Sequence, residues 1–480
     1  MRQTSKISFL FAAFSLSVAG FTASAQEVIT IQQAIDKTLN NNLQVKQAQF
    51  SAALADENYG QSKNALLPSI SGSINGNRNF GRSIDPSTNQ FISQQFNAAS
   101  GSINGSVDLF AGGQKVNQIK QNKLLLDADK ANVEKVKNDL ILQVVTSYMQ
   151  ILFNKDLLKA AQQQLEVAKQ TLNQQQQLLD VGNKTLADVS QAKSQVATSE
   201  LEVTNAQNNL AISYLTLNQL MELPSDNKFE VQVPLVDAIT YAKNSYSAPE
   251  VVATAMTVFP DIRLASLRAQ AAEKAIDVAR GTYYPRLSFG GGVGSNYSSI
   301  KPKVTEVNNG LKEVVIGKVQ GTQQPVVNEV PDILRTLSNY SFGSQIQDNF
   351  NQFVGFSLSI PIFNGYQARS NVRRAKINYQ NAQVDEQLSK NNLNKVIYQA
   401  VADLRAAESR FRSTTNAFAA QKDAFFVIEQ RYNVGLANSV EFSTAQTNRN
   451  KAEIDMIQAK YDLLFKSKVI DYYLGKQIAF

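Results

Sequence analysis

Residues 181–220, VGNKTLADVSQAKSQVATSELEVTNAQNNLAISYLTLNQL, decide the architecture of this 480-residue chain. Val189, Ala192, Val196, Ser199, Val203, Ala206, Leu210, Ser213, Leu217 and Leu220 step by alternating threes and fours, an unbroken heptad seam along one helix face. Its small residues predict close approach of a neighbouring helix. Before the seam, Gln114 to Val181 holds neither Gly nor Pro, and a helix of that length spans roughly 100 Å. A glycine just past a long helix is a common C-terminal cap, so the spacing predicts a helical hairpin turning at Gly182. Other positions are mostly Gln, Asn, Ser, Thr or Lys, as in QQQLEVAKQTLNQQQQ at 162–177, where Leu165, Ala168 and Leu172 keep helical spacing. A helix with a narrow seam and water on more than one side fits this pattern.

The hairpin occurs twice. An offset of 253 places Phe110, Gly112, Gln114 and Lys123 on Phe363, Gly365, Gln367 and Lys376, and carries Val181-Gly182 onto Val434-Gly435. The second return segment keeps Phe442, Ala445, Ala452, Met456, Ala459, Leu463 and Ile470 in the seam, with Arg449 and Lys466 as exceptions. An earlier block repeats at an offset of 217, placing Val45 on Ile262 and Pro68 on Pro285. The difference is an insertion of 36 residues between Gly294 and Asn351. Segments from Leu43 to Leu66 and from Asp261 to Tyr283 each offer a further helix. Stacked end to end with the return helix, each could lie along one long helix.

Between the helices the period changes to two. Ile103, Gly105, Val107 and Leu109 alternate with Ser102, Asn104, Ser106 and Asp108; Leu287, Phe289, Gly291 and Val293 alternate with Ser288 and Gly290; Phe356, Leu358, Ile360 and Ile362 alternate with Ser357 and Ser359. Ser69 to Asn77 matches less well. Four strands of about ten residues result, the length that a tilted transmembrane β-strand needs. A small soluble hairpin packed on the helices is the competing reading. Four strands fall short of the smallest transmembrane barrel, about eight, so a barrel would require oligomerisation, as a dimer or a trimer.

Composition and the N-terminus set the compartment and exclude chemistries. Arg2 and Lys6 precede an apolar run from Ile7 to about Ala19, and Ala23-Ser24-Ala25 gives a small-x-small exit, so residues 1–25 read as an export signal. With no His and no Cys there is no Ser-His or Cys-His pair and no ordinary zinc site. Asp127 and Asp129 have no convergent partners, Gly290-Gly291-Gly292 has no Lys and no helix start behind it, and no catalytic, cofactor or metal site is expected. A net charge of +7 over 480 residues is too weak to argue for nucleic acid.

The export signal, the tandem copies, the LFAGGQ and IFNGYQ junctions and the segments VGNKTLADVSQAKS and YNVGLANSVEFSTAQ resemble TolC-like outer-membrane efflux channels over essentially the whole mature chain. The resemblance implies a homotrimer, with a twelve-stranded β-barrel in outer-membrane lipid continued by a twelve-helix α-barrel in the periplasm. It further implies a passive exit duct for a tripartite efflux or type I secretion system, served by an inner-membrane pump through a periplasmic adaptor. The adaptor would dock at the tips marked by Gly182 and Gly435, and the strand-connecting loops, about 76–99 and 296–349, would face outside. Asp188 and Tyr432 match positions of the family's tip network, and Glu441 matches an acidic ring that narrows the mouth. Ala437 and Thr444 depart from it, standing where a linking Arg and a second ring carboxylate are known. The implied division is 26–223 as first repeat, 224–257 as equatorial segment and 258–480 as second repeat.

The same carboxylates admit a plainer role. Thr185-x-x-Asp188 and Asn438-x-x-Glu441 each fit a helix N-cap with a third-position carboxylate, which needs no function. The alternative for the whole chain is an exported coiled-coil scaffold or surface adhesin without a pore.

Overall fold

A computed structural model of the protein describes residues 27–233 and 246–476. The expected export signal, positions 234–245 of the expected equatorial segment and residues 477–480 lie outside the described residues. In chain order the elements are β1 (Glu27–Ile29), α1 (Ile31–Asn41), α2 (Leu43–Asn64), β2 (Ser69–Asn79), β3 (Ser83–Ile84), β4 (Phe91–Ile92), β5 (Phe96–Ala111), α3 (Gln114–Asp180), α4 (Leu186–Leu220) and β6 (Phe229–Val231). There follow α5 (Ala248–Val258), α6 (Pro260–Arg280), a 3-10 turn (Gly281–Tyr283), β7 (Arg286–Ser298), β8 (Lys303–Lys318), β9 (Pro325–Ser338), α7 (Phe342–Asp348), β10 (Asn351–Ser359), α8 (Gln367–Asn433) and α9 (Ser439–Tyr473). The chain divides into two units: one takes residues up to Phe50, Asn132–Ile262 and Ser389 onward, the other Ser51–Ala131 and Arg263–Leu388.

The first unit is helical, and its cores follow the repeat. On α4 the seam supplies most of what is buried: Val189, Ala192, Ser199, Ala206, Ser213 and Leu217 are covered, with Asn218 besides, while most intervening positions face water. One core gathers Val144, Tyr148, Ile151 and Leu152 of α3, Leu217 of α4, Ile31, Ala34 and Ile35 of α1, and the parallel pair β1–β6. The other gathers Ile397, Val401 and Leu404 of α8 with Val251 and Ala255 of α5 and Ile470 of α9. Positions 253 apart are buried alike, Val144 with Ile397, Ile151 with Leu404, Leu217 with Ile470. Tyr148 ties the pieces of the first core: its hydroxyl donates toward Ile29 O (3.0 Å) and Gln232 O (2.9 Å). Buried Asn42, between α1 and α2, caps the end of α4 by donating Nδ2 to Leu220 O at 3.1 Å.

One expectation about α9 needs correction. Beyond the single seam, Ile457, Tyr461 and Leu464 form a second buried stripe that joins the first core, because this stretch touches both cores at once. The seam exceptions form ion pairs, Lys466 with Asp403 (3.2 Å) and Arg449 with Glu453 (3.4 Å).

The second unit is built on an antiparallel four-stranded sheet in the order β10-β7-β5-β2. Directly paired residues share a face, so the register separates two surfaces. Ile70, Ile74, Ile103, Val293, Phe289, Val354, Phe356 and Leu358 lie on one, and Ile74 and Phe356 there are 91% and 70% exposed. The other carries Ser73 against Ser102 (Oγ to Oγ 3.0 Å), Asn104, and Ser288 donating to Asp108 (3.0 Å), which also pairs with Lys115 (3.0 Å). Gly292 lies on this polar face, where a Cβ would stand 2.4 Å from Asn104 Oδ1 and 2.9 Å from the Phe353 ring. The glycine triplet therefore serves close strand packing. The outer edges of β2 and β10 have no partner strand among the described residues.

The junctions between strand and long helix turn in left-handed backbone, at Gly112 and Gly113 (φ 59° and 76°) and at Gly365 and Tyr366 (φ 62° and 61°). At Gly112 any side chain would also strike Gly281 O at 2.3 Å.

Three strand expectations change. Ser69–Asn79 is a full strand although only Ile70 and Ile74 are large and apolar, because pairing with β5 supplies what its composition lacks. The last strand ends at Ser359, before Ile360 and Ile362, since Pro361 has no N–H to donate to the ladder. The second connecting loop is largely ordered strand: β8 and β9 pair as a long antiparallel hairpin, followed by α7.

Candidate functional site

The expected site residues fall at the two hairpin turns of the helical unit. Each long helix closes with the same cap. Gly182 at φ 77° lets Asn183 N–H reach Leu178 O (2.8 Å) and its own N–H reach Leu179 O (2.8 Å); Gly435 at φ 79° does the same for Leu436 to Arg431 (2.7 Å) and itself to Tyr432 (3.1 Å). This pair of bonds satisfies carbonyls that a helix end leaves without partners, and it needs a residue free of a Cβ. Around both glycines the space is open, and Val181, Leu186, Val434, Leu436 and Val440 stand exposed.

The return helices begin with side-chain caps. Thr185 and Asp188 form a reciprocal capping box, in which Asp188 N–H donates to Thr185 Oγ1 (3.3 Å) while Thr185 N–H (3.1 Å) and Oγ1–H (2.8 Å) donate to Asp188 Oδ2. In the second copy, Glu441 N–H donates to Asn438 Oδ1 (2.8 Å) and Asn438 Nδ2 to Glu441 Oε1 (3.2 Å). The Asp188 carboxylate thus caps its helix, whereas in the second copy the Asn438 side chain is the cap and the Glu441 carboxylate only receives its amide.

Asp188 also does something a cap does not require. Its carboxylate lies beside Ser439 at the start of α9, the two lining one crevice between the first hairpin and the second. The Thr185 bonds first, then the nearby Ser439 hydroxyl and the Lys184 charge, hold its pKa below the usual carboxylate value. Tyr432, 5% exposed, stacks on Phe442 with ring centroids 4.6 Å apart and 19° between planes, and Lys184 of the first hairpin lies 4.3 Å over its ring. Burial first, then the Asp188 charge, pushes the Tyr432 hydroxyl pKa up. Ala437 packs in the same cluster with Phe425, and Thr444 faces solvent. Asp188, Tyr432, Ser439, Phe442 and the fully buried Gln175 line a crevice of about 30 Å³, room for a water or two and not for a solute.

Asp188 and Tyr432 therefore meet in one cluster, while Glu441 stays on its own cap. The sequence reading missed Lys184 and Ser439. Their signal is weak: each directly flanks a cap position, which puts it within reach of the opposite hairpin once the two turns lie side by side.

Two hairpin turns in register, a sheet with one apolar and one polar face and free edges, and a repeat that generates both describe a recognisable kind of molecule. A family model described as outer membrane efflux protein matches residues 34–222 and 254–476. The chain belongs to the outer membrane efflux protein family. As an outer membrane efflux protein it is similar to outer membrane efflux protein BepC of Brucella suis biovar 1 (strain 1330), 21% identical over 482 residues, covering 98% of this chain and 90% of that protein. It is similar also to toxin and drug export protein A of Aggregatibacter actinomycetemcomitans, 20% identical across 90% of this chain and 83% of that one. Among solved structures, the outer membrane protein VceC from Vibrio cholerae matches with a TM-score of 0.71 at 16% identity, over 92% of this chain and 94% of that chain. The open state of the Neisseria gonorrhoeae MtrE outer membrane channel matches with a TM-score of 0.67 at 17% identity, over 93% and 89%. The mainly helical fold with its small β part is the fold of these channel structures, and this efflux protein's relatives are transport channels rather than enzymes.

Proposed function

We propose that three copies of this efflux protein close into one channel in the outer membrane, β10 of each copy pairing with β2 of the next to make a twelve-stranded barrel. The observation that carries this is the open four-stranded sheet, apolar on one face, polar on the other, and unpaired at both outer edges among the described residues. In hydrocarbon each unsatisfied backbone group costs several kcal/mol, so free edges must be closed, and four strands are about half the smallest known barrel. The apolar face meets lipid; the Ser, Gly and Asn face lines a water-filled lumen.

The long hairpins of the two repeats, 26–223 and 258–480, continue the duct as an α-barrel in the periplasm, with 224–257 as the equatorial segment. The protein is a passive exit duct of a tripartite efflux or type I secretion system, without chemistry of its own, engaged by an inner-membrane pump through a periplasmic adaptor. The exposed apolar side chains beside Gly182 and Gly435 support adaptor docking at the tips, since contiguous exposed apolar surface marks interaction sites. Asp188, Tyr432 and Glu441 form the gate. The Lys184–Tyr432 contact, with Asp188 and Ser439 lining one crevice, supports this reading, because it joins the first hairpin's tip to the second.

The test is extraction and mass. Membranes expressing the protein should release it to detergent and not to urea, as particles with the mass of three chains. Release by urea as single chains would overturn the channel and favour a coiled-coil scaffold.

A further inference from the structure

The segment joining β2 to β5, residues 80–95, does not continue outward from the sheet. It leaves where Asn79 pairs with Phe96, at the sheet end remote from the long helices. Its middle nevertheless meets β7: Asn296 Nδ2 donates to Pro86 O (3.2 Å) and Ser87 Oγ–H donates to Asn296 Oδ1 (3.2 Å). Asn296 pairs with Ser100, four residues along β5 from Phe96. At the usual rise per residue the segment has turned back roughly 13 Å along the sheet. Because β5 lies between β2 and β7, it has also crossed β5.

The register says which face it crosses. Asn296 stands on the side of its partner Ser100, and alternation along β5 puts Phe96, Ala98, Ser102 and Asn104 there too. This is the polar face. Phe96 and Ala98, where the segment crosses, are 2% and 6% exposed, whereas Ser100 and Asn104 farther along are open to water. The crossing segment has a structure of its own. Its strands pair Ser83 with Ile92 and Ile84 with Phe91, and Arg82 lies 4.8 Å over the Phe91 ring. At its turn Asp85 N–H donates to Gln90 O (3.0 Å), Asn89 N–H donates to Asp85 O (2.8 Å), and Ser87 N–H donates to Asp85 Oδ1 (2.9 Å).

Its seat on the sheet is slight. Both bonds to Asn296 join neutral groups, and such bonds, exchanged for bonds to water, contribute little net stability. Asp85 in the seated turn is 1% exposed, and its Oδ2 has no hydrogen-bond partner among the described residues. Burying a polar oxygen without a partner opposes the seated form.

We infer that residues 80–95 form a lid on the outer end of the duct. The inference rests on the trimeric reading above, in which the polar face lines the lumen. Three lids then project inward at one level and narrow the exit, and the slight seat lets each lift for wide cargo. The duct is thereby restricted at both ends, by the helical tips at one and by the lids at the other.

The chain has no Cys, so a single introduced thiol reports on the cover. In native membranes Ala98→Cys should react with a water-soluble thiol reagent at a small fraction of the rate of Ser100→Cys, its neighbour on the same face. Replacing residues 80–95 by Asn-Gly, a two-residue turn suited to the directly paired Asn79 and Phe96, should bring the two rates together. Equal rates with the segment in place would overturn the seat. In planar bilayers the shortened protein should conduct in larger steps than the parent, and so should the milder variant Asn296→Ala. Particles with the mass of three chains and unchanged steps in both variants would overturn the lid and leave the channel standing. Particles of one chain would overturn both.

Discussion

At the residue scale, Asp188 separates the plain role of a carboxylate from a further one. Glu441 bonds only the Asn438 side chain that caps its helix; Asp188 caps its own helix and also lies beside Ser439 of the other hairpin. Hydrogen bonds from Thr185, with the nearby Ser439 hydroxyl and the Lys184 charge, lower its folded pKa, so its contribution to the tip is present above the unfolded value of about 3.9 and is lost as pH falls through the lower folded value. The protein has no Trp, so Leu186→Trp, at an exposed site beside the turn, gives a local reporter. Its emission should change as pH falls below about 4, and that change should be absent when Asp188→Asn is added. Tyr432 is held by Phe442 and Lys184. Tyr432→Phe should keep the tip closed to protease, whereas Tyr432→Ala, losing the ring, should destabilise it by about 3 kcal/mol and open it to cleavage near 434. Asp188 and Tyr432 were legible in the sequence through the resemblance of their surroundings to a family pattern. Lys184 and Ser439 were not, because a contact between hairpins has no period along one chain.

At the scale of elements, the helices were the most legible part, since a Gly-free run ending at a glycine and a seam stepping by threes and fours specify a hairpin with few alternatives. Strand Ser69–Asn79 was the least legible of the sheet, because its partners rather than its own side chains hold it. The second buried stripe of α9 escaped because a helix touching two cores shows two overlapping seams that blur each other. The junctions permit a contrast. Gly112→Ala meets Gly281 O and left-handed strain together, and should sharply reduce the yield of detergent-extracted assembled protein. Gly365→Ala has open space and should cost only about 1 kcal/mol of backbone strain, with yield near normal. Tyr148 offers a pH test of the joint between β1, the end of β6 and α3. Burial raises its pKa to about 12, so its stabilising effect is complete below about pH 10, the unfolded value, and is lost as pH rises toward about 12. Tyr148→Phe should melt at lower temperature than the parent at pH 8, a loss of about 1 kcal/mol, and the gap should close toward pH 12.

At the scale of the whole molecule, the repeat explains why so much was readable: a unit written twice fixes each element by two independent stretches of sequence. The insertion occurs once, and without a second copy to compare, its hairpin read as a loop. The sheet is incomplete alone, with a lipid-suited face, a water-suited face and two free edges among the described residues, and the proposed trimer completes it. In the proposed trimer the helical unit would add a mouth with carboxylates at Asp188 and Glu441, whose charge the number of copies would multiply. Single-channel conductance of the detergent-purified protein in a planar bilayer tests this account most directly. It predicts discrete, long-lived steps that favour cations, with the preference reduced in Asp188→Asn combined with Glu441→Gln. Protein that fails to insert, or that inserts and conducts in neither form, would contradict it.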